Sequence, residues 1–152
     1  MGKSVVSLPD SAVDLIRSGA EGHMVTLNRD GSLQVSLVWV AATACELRVA
    51  SLTPRQKLRN IRRDDRVAIS FQSPLRDAPG DNGSSGGMRY YLVIKGRAVI
   101  EDGGAPQLLR ELAATYLGPG VKFPRGDNPP EGWVIRIAVE RWHGYGPWGD
   151  GP

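Results

Sequence analysis

The sequence predicts a mainly antiparallel α+β domain that curls toward a barrel. Three observations carry this prediction. Six stretches have the apolar spacing of strands, and several are joined by hairpin-like turns. A few short helical stretches are scattered among them, with no regular strand-helix alternation of a parallel sheet. No Gly-x-Gly-x-x-Gly follows a strand, so a doubly wound dinucleotide fold has no support.

In chain order, residues 7–18 read as a helix, capped by Asp10 or Ser11, with Ala12, Val13, Leu15 and Ile16 inward and Gly19 as the stop. Residues 22–28 read as a strand. Asn28-Arg29-Asp30-Gly31 then turns the chain, because Gly31 supplies the positive φ such turns need. Strands follow at 33–41 and 46–51, with a helix at 54–63. In the strand at 66–73, Val67, Ile69 and Phe71 alternate with Ala68 and Ser70. Residues 74–88, rich in Gly, Pro, Ser and Asp, read as a surface loop. The strand at 90–101 contains Gly96, which predicts a bulge or a close backbone approach. Leu108, Leu109, Leu112 and Ala113 mark one face of a helix at 105–116. An irregular loop at 118–131 and a sixth strand at 133–139 complete the reading, with Trp142 and Trp148 in the tail.

The 152 residues suit one domain, 1–152, with a single core. The net charge of +3 comes from 19 Lys and Arg against 16 Asp and Glu, too weak to imply nucleic acid. Cys45 is the only cysteine, which excludes an internal disulfide; its alanine-rich surroundings predict a buried, inert thiol. No Cys/His cluster marks a metal site, and His23 and His143 lack ligand spacing and read as structural. The N-terminus lacks the apolar region of a signal peptide, and no run approaches the ~18 apolar residues of a membrane span, so cytoplasm is expected.

The chemistry points to Thr53-Pro54-Arg55-Gln56-Lys57. Thr53 suits a helix cap, Pro54 the first position, and Gln56 the far side of a capping box. The first turn of a helix favours acids. Here it holds Arg55 and Lys57, and Arg59, Arg62 and Arg63 follow with no acid before Asp64. Such crowding costs stability unless an anion offsets it. A phosphate fits, because helix-start N–H groups favour anions, a guanidinium offers a planar fork and an ammonium a point charge. Leu58 and Ile61 define the core face, with Arg55 and Lys57 flanking it on opposite sides. Ser51 ends the preceding strand and offers a hydroxyl from below. Arg59, Arg62 and Arg63 read as a solvated basic face.

Four blocks then carry a resemblance: "TLNRDGSLQVSLVWV", "LRVASLTPRQKLRNIRRDDRVAISF", "RYYLVIKGRAVIED" and "RIAVERW". The second is the most specific, with Arg-x-Lys, then Asn60, then Arg-x-Asp-x-Arg-Val after a strand. The chain resembles the flavin/deazaflavin oxidoreductases of the split β-barrel fold, the group that includes pyridoxamine 5′-phosphate oxidase-like proteins. Within it the match is to the bacterial branch that uses coenzyme F420. The resemblance implies a six-stranded split barrel and a homodimer with a cofactor site at each end of the interface. It implies that Arg55 and Lys57 contact the cofactor phosphate, with Ser51, Leu52 and Gln56 beside them. Gln34, Val35 and Ser36 would run along the tricyclic ring. Residues 79–88 depart from the shorter loop expected there, which weakens any inference about substrate.

In this chemistry the cofactor carries the hard step and the protein positions it. A reduced deazaflavin transfers a hydride to an activated small organic substrate, so no catalytic side chain is required. Tyr90, Tyr91 and Lys95 are candidates for proton donation, with packing or surface roles favoured for each. Trp39, Trp133 and Trp142 read as core or interface packing. FMN is the alternative cofactor, and a non-enzymatic flavin- or tetrapyrrole-binding protein the alternative function. Extra cations such as Lys122, Arg125, Arg59 or Arg63 near the site would favour F420, whose polyglutamate tail is anionic.

Overall fold

The structure is a computed structural model that describes residues 6–73 and 89–152. The predicted loop at 74–88, with the departing segment 79–88, lies outside the described residues. Helix α1 (Asp10–Arg17) leads into β1 (Gly22–Leu27) and β2 (Leu33–Val38). β3 (Ala41–Ala42), β4 (Glu46–Ser51), α2 (Gln56–Arg63) and β5 (Arg66–Gln72) follow. β6 (Tyr91–Asp102), α3 (Ala105–Tyr116) and β7 (Trp133–Tyr145) complete the order.

Among the described residues every strand pairing is antiparallel, in one sheet of order β2-β1-β5-β6-β7-β4-β3. β2 and β3 sit at opposite edges, yet residues 39 and 40 alone separate them. Three steps of chain reach at most about 11 Å. The two edges therefore approach one another, and the sheet curls into the half-barrel of an α+β split-barrel fold.

The described structure has seven strands rather than six, because the predicted strand at 33–41 breaks in two. Val40 N–H leaves the ladder at the break and donates to the Tyr116 hydroxyl at 3.1 Å. The last strand is longer than predicted and reaches Tyr145, taking in Trp142. Its pairing with β6 shifts register between Lys95 and Gly96, where Glu140 is the extra residue. A Cβ at Gly96 would lie 2.1 Å from the Ala138 carbonyl oxygen, which is the close backbone approach its position in the sequence predicts. α1 begins later than predicted, at Asp10, with Pro9 before it and no side-chain cap.

The core lies inside the curl. Met24, Leu47, Val49, Ile69, Phe71, Leu92, Ile94, Ile135 and Ile137 point inward from the sheet, and α1 and α2 cover them with Ile16, Leu58 and Ile61. Burial of each such side chain stabilises the fold by about 1.5–3 kcal/mol. A smaller cluster joins Leu108 and Leu112 of α3 to Val134, with Trp39 and Tyr116 against it. Trp148 is buried in the main core, as the packing reading of the tryptophans expects for Trp142 beside it.

Cys45 corrects a prediction: it is exposed. It sits in the tight turn between β3 and β4, closed by Thr43 N–H to the Glu46 carbonyl at 2.9 Å. A turn residue faces outward whatever the polarity of its neighbours.

Candidate functional site

α2 begins two residues later than its sequence signals suggest. Arg55 is extended (φ −127°, ψ 161°) and occupies the cap position, with no side-chain cap. The first helical bond runs from Leu58 N–H to the Arg55 carbonyl at 3.1 Å. Thr53 is not the cap; its carbonyl accepts the Ser51 hydroxyl at 2.8 Å. Gln56 makes no capping box either, since its amide turns inward to Asn60 and Arg59 donates to its oxygen at 2.9 Å. The main-chain N–H groups of Gln56 and Lys57 precede the first helical bond and have no partner within α2.

The cations of this segment divide by their partners. Arg62 lies over the Trp133 ring at 5.9 Å, Arg63 donates to the Leu27 carbonyl, and Arg59 is held by Gln56. Arg55 and Lys57 instead line a cavity of about 400 Å³. No described carboxylate forms a salt bridge with either. Lys57 is half-buried, and burial pulls its ammonium below the ordinary lysine value, with the like charge of Arg55 adding to the effect. A half-buried cation beside a second cation is an electrostatic cost that an anion offsets.

Ala50, Ser51, Leu52 and Thr53 form one side of this cavity, and Leu37, Val38 and Trp39 the other. Leu109 of α3 and Phe123 of the following loop close it. Trp39 stacks on Tyr116 with centroids 5.2 Å apart and planes at 7°, and Phe123 tilts against it at 59°. The Tyr116 hydroxyl accepts from Val40 N–H and donates to the Ala20 carbonyl at 2.9 Å, so two hydrogen bonds tether the Tyr116 end of the stack. Burial pushes the Tyr116 phenol up in pKa. The cavity thus pairs an aromatic wall with a cationic mouth, which suits a flat ring carrying an anionic chain.

The predicted site residues fall in three groups. Ser51, Leu52, Arg55 and Lys57 come together around the cavity. Gln34, Val35 and Ser36 lie further along β2, outside its lining. Gln34 and Ser36 pair with Thr26 and Met24 and so share the inner face, whereas Val35 is 56% exposed on the outer one. Gln56 faces Asn60 instead of the cavity mouth. Sequence reasoning missed Leu37, Val38, Ala50, Leu109 and Phe123 as lining residues, and favoured packing over ring stacking for Trp39. The signal available for Phe123 was its place between Lys122 and Arg125.

A second cavity, of about 550 Å³, lies on the other side of Phe123. Arg110, Lys122 and Arg125 line it with Asp127, so its walls carry a net positive charge. The loop between α3 and β7 that builds it is seated by Gly132. There φ is +56° and a Cβ would stand 2.2 Å from the Ser51 carbonyl oxygen. A separate outer groove at β1, β5, β6 and β7 is lined by Lys95 and Arg141, with Arg66 and Arg97 already paired to Asp64 and Asp65. Tyr90 packs edge-on against Tyr145 and Trp148, and Tyr91 is exposed. Among the described residues no group of three or more His, Cys, Asp or Glu is placed to hold a metal.

An antiparallel split barrel with a cation-mouthed, aromatic-walled cavity defines a class: the flavin-binding, oxidoreductase-type split barrels. The chain belongs to the pyridoxamine 5′-phosphate oxidase family, whose sequence pattern matches residues 8–146. Among proteins of curated function no sequence matches. Among solved structures, an F420 reductase is similar with 27% identity and a TM-score of 0.70, over 90% of this chain and 98% of that one. Two others share the fold. The HupZ protein of Group A Streptococcus has 15% identity and a TM-score of 0.63, over 95% and 100% of the two chains. A conserved hypothetical protein of Mycobacterium tuberculosis has 19% identity and a TM-score of 0.62, over 95% and 89%.

Proposed function

We propose that this chain is a cytoplasmic, homodimeric reductase that uses the deazaflavin coenzyme F420 to reduce an activated small organic substrate. One observation carries the reading: Lys57, half-buried beside Arg55, has no described counter-ion and opens onto the cavity. Arg55 and Lys57 would hold the phosphate, with the free N–H groups at the start of α2 pointing at it. Trp39 and Phe123 would flank the chain or ring. When bound, the cofactor supplies the hydride, and the protein's work is to seat it and keep water out.

The second cavity favours the deazaflavin over FMN. FMN ends at its phosphate, whereas F420 continues into a polyglutamate tail. Arg110, Lys122 and Arg125 offer such a tail three cations in a neighbouring cavity that shares Phe123 with the first. The 27% identity to a structure of an F420 reductase agrees with this choice. FMN remains the competing cofactor because it would use the same phosphate mouth, and the match to the pyridoxamine 5′-phosphate oxidase family speaks for it.

Fluorescence titration of the purified protein with each cofactor decides between them. Micromolar or tighter binding of F420 alone is the expected result, and tight binding of FMN alone overturns it. Lys57→Ala should weaken cofactor binding by about 1–3 kcal/mol, the scale of one charge-assisted hydrogen bond. An Arg55→Ala/Lys57→Ala variant of unchanged affinity would show that the phosphate lies elsewhere. Lys122→Ala/Arg125→Ala should weaken F420 and leave a tail-free analogue unaffected.

A further inference from the structure

Asn60 has the most deeply buried polar side chain among the described residues, 0% exposed in α2 between the core residues Leu58 and Ile61. A buried amide is costly unless its bonds are made. Asn60 uses both donors and one acceptor. Its Nδ2 donates to Thr26 Oγ1 at 3.0 Å and to Asn28 Oδ1 at 2.8 Å. Its Oδ1 accepts from Gln56 Nε2 at 2.8 Å.

These three bonds tie the helix start beside the cavity to the β1–β2 hairpin, whose Gln34 and Ser36 lie outside the cavity lining and are set along the ring by the resemblance. Gln56 stands between Arg55 and Lys57 at the start of α2. Thr26 pairs in register with Gln34, and Asn28 opens the turn into β2, with its own Nδ2 donating to Ser32 Oγ at 3.0 Å. We propose that Asn60 is a positioning residue, which fixes the helix start that carries Arg55 and Lys57 relative to the β1–β2 hairpin that carries Gln34 and Ser36. This rests on the phosphate-site reading above. Apolar contacts through Leu58 and Ile61 hold α2 on the sheet but are non-directional, so they permit sliding. A satisfied amide permits one register. A leucine of similar volume would fill the same space but strand the Thr26 hydroxyl, Asn28 Oδ1 and Gln56 Nε2, so the amide belongs to a polar network and is not called for by packing alone.

A ligand that spans both parts gains from their fixed separation, and a fragment that touches one part does not. Asn60→Leu and the milder Thr26→Val are therefore titrated with F420, with its phosphate-free ring fragment and with inorganic phosphate. FMN and riboflavin form a parallel pair. Asn60→Leu should weaken the intact cofactor about tenfold or more, and Thr26→Val less, while the fragment and phosphate constants move by less than about twofold. In the cofactor-free protein, amide exchange should quicken together in α2 and in residues 28–34 and stay unchanged in β6 and β7. A lowered Tm with unchanged cofactor affinity overturns the proposal, as does exchange that quickens evenly through the molecule. If Asn60→Leu does not fold, Thr26→Val carries the same comparison. If the wild type binds neither cofactor, the functional reading fails by itself, and the exchange pattern still decides the role of Asn60.

Discussion

At the scale of single residues, the phosphate-binding role proposed for Lys57 would set function against stability. Its ammonium is held below the ordinary lysine value of 10.5, first by burial and then by Arg55. The unfolded chain therefore binds more protons than the folded one in the pH range just below 10.5. Stability should rise as pH climbs through that window. Removing the charge should do the same at neutral pH: Lys57→Met is expected to stabilise the cofactor-free protein by about 0.5–1 kcal/mol while weakening cofactor binding. Urea unfolding of both proteins across pH measures this, and the pH trend should be absent in Lys57→Met. Tyr116 is the opposite case. Tyr116→Phe strands Val40 N–H and the Ala20 carbonyl, and should cost about 1–3 kcal/mol by the same assay, with Trp39 fluorescence shifted.

At the scale of elements, most of the fold was legible in the sequence because period and punctuation agree. α3 lies where its leucines place it, Gly96 marks the bulge, and Leu58 and Ile61 face the core. Two of the misreadings come from a hydrogen bond that overrides a local propensity, one from nearby in the chain and one from far away. Thr53-Pro54 looks like a helix start, but Ser51 bonds the Thr53 carbonyl and delays the helix to Gln56. The run at 33–41 looks like one strand, but Tyr116, 76 residues away from Val40, takes a ladder donor out of it. The candidate site was legible where charge sat in the wrong place, at Arg55 and Lys57. Its aromatic wall was not, because Trp39 and Phe123 meet only after the barrel closes. The α3–β7 loop depends on one backbone position. Gly132→Ala would force a Cβ onto the Ser51 carbonyl at a positive φ, and should cost about 2–4 kcal/mol in urea unfolding.

At the scale of the whole molecule, the sheet presents an unfinished surface. Leu33, Val35 and Leu37 of edge strand β2 are 65, 56 and 60% exposed, all on the outer face. An apolar stripe of this kind suits an interface, and under the proposed homodimer a second copy of the chain is its expected cover. Sedimentation should give the wild type twice the 16.4 kDa of one chain, and Leu33→Glu/Val35→Glu a single chain's mass. A two-chain mass for that variant would place the interface elsewhere.

The position of β2 at the sheet edge also bears on how the protein is made. An edge strand offers a row of unpaired N–H and C=O groups, and here the row runs beside three exposed aliphatic side chains. A freshly synthesised chain therefore has a period in which it can template the wrong neighbour. Soluble yield should depend on how quickly that face is covered. Slower synthesis should raise the recovered fraction of the wild type, and the double glutamate variant should be insensitive to it.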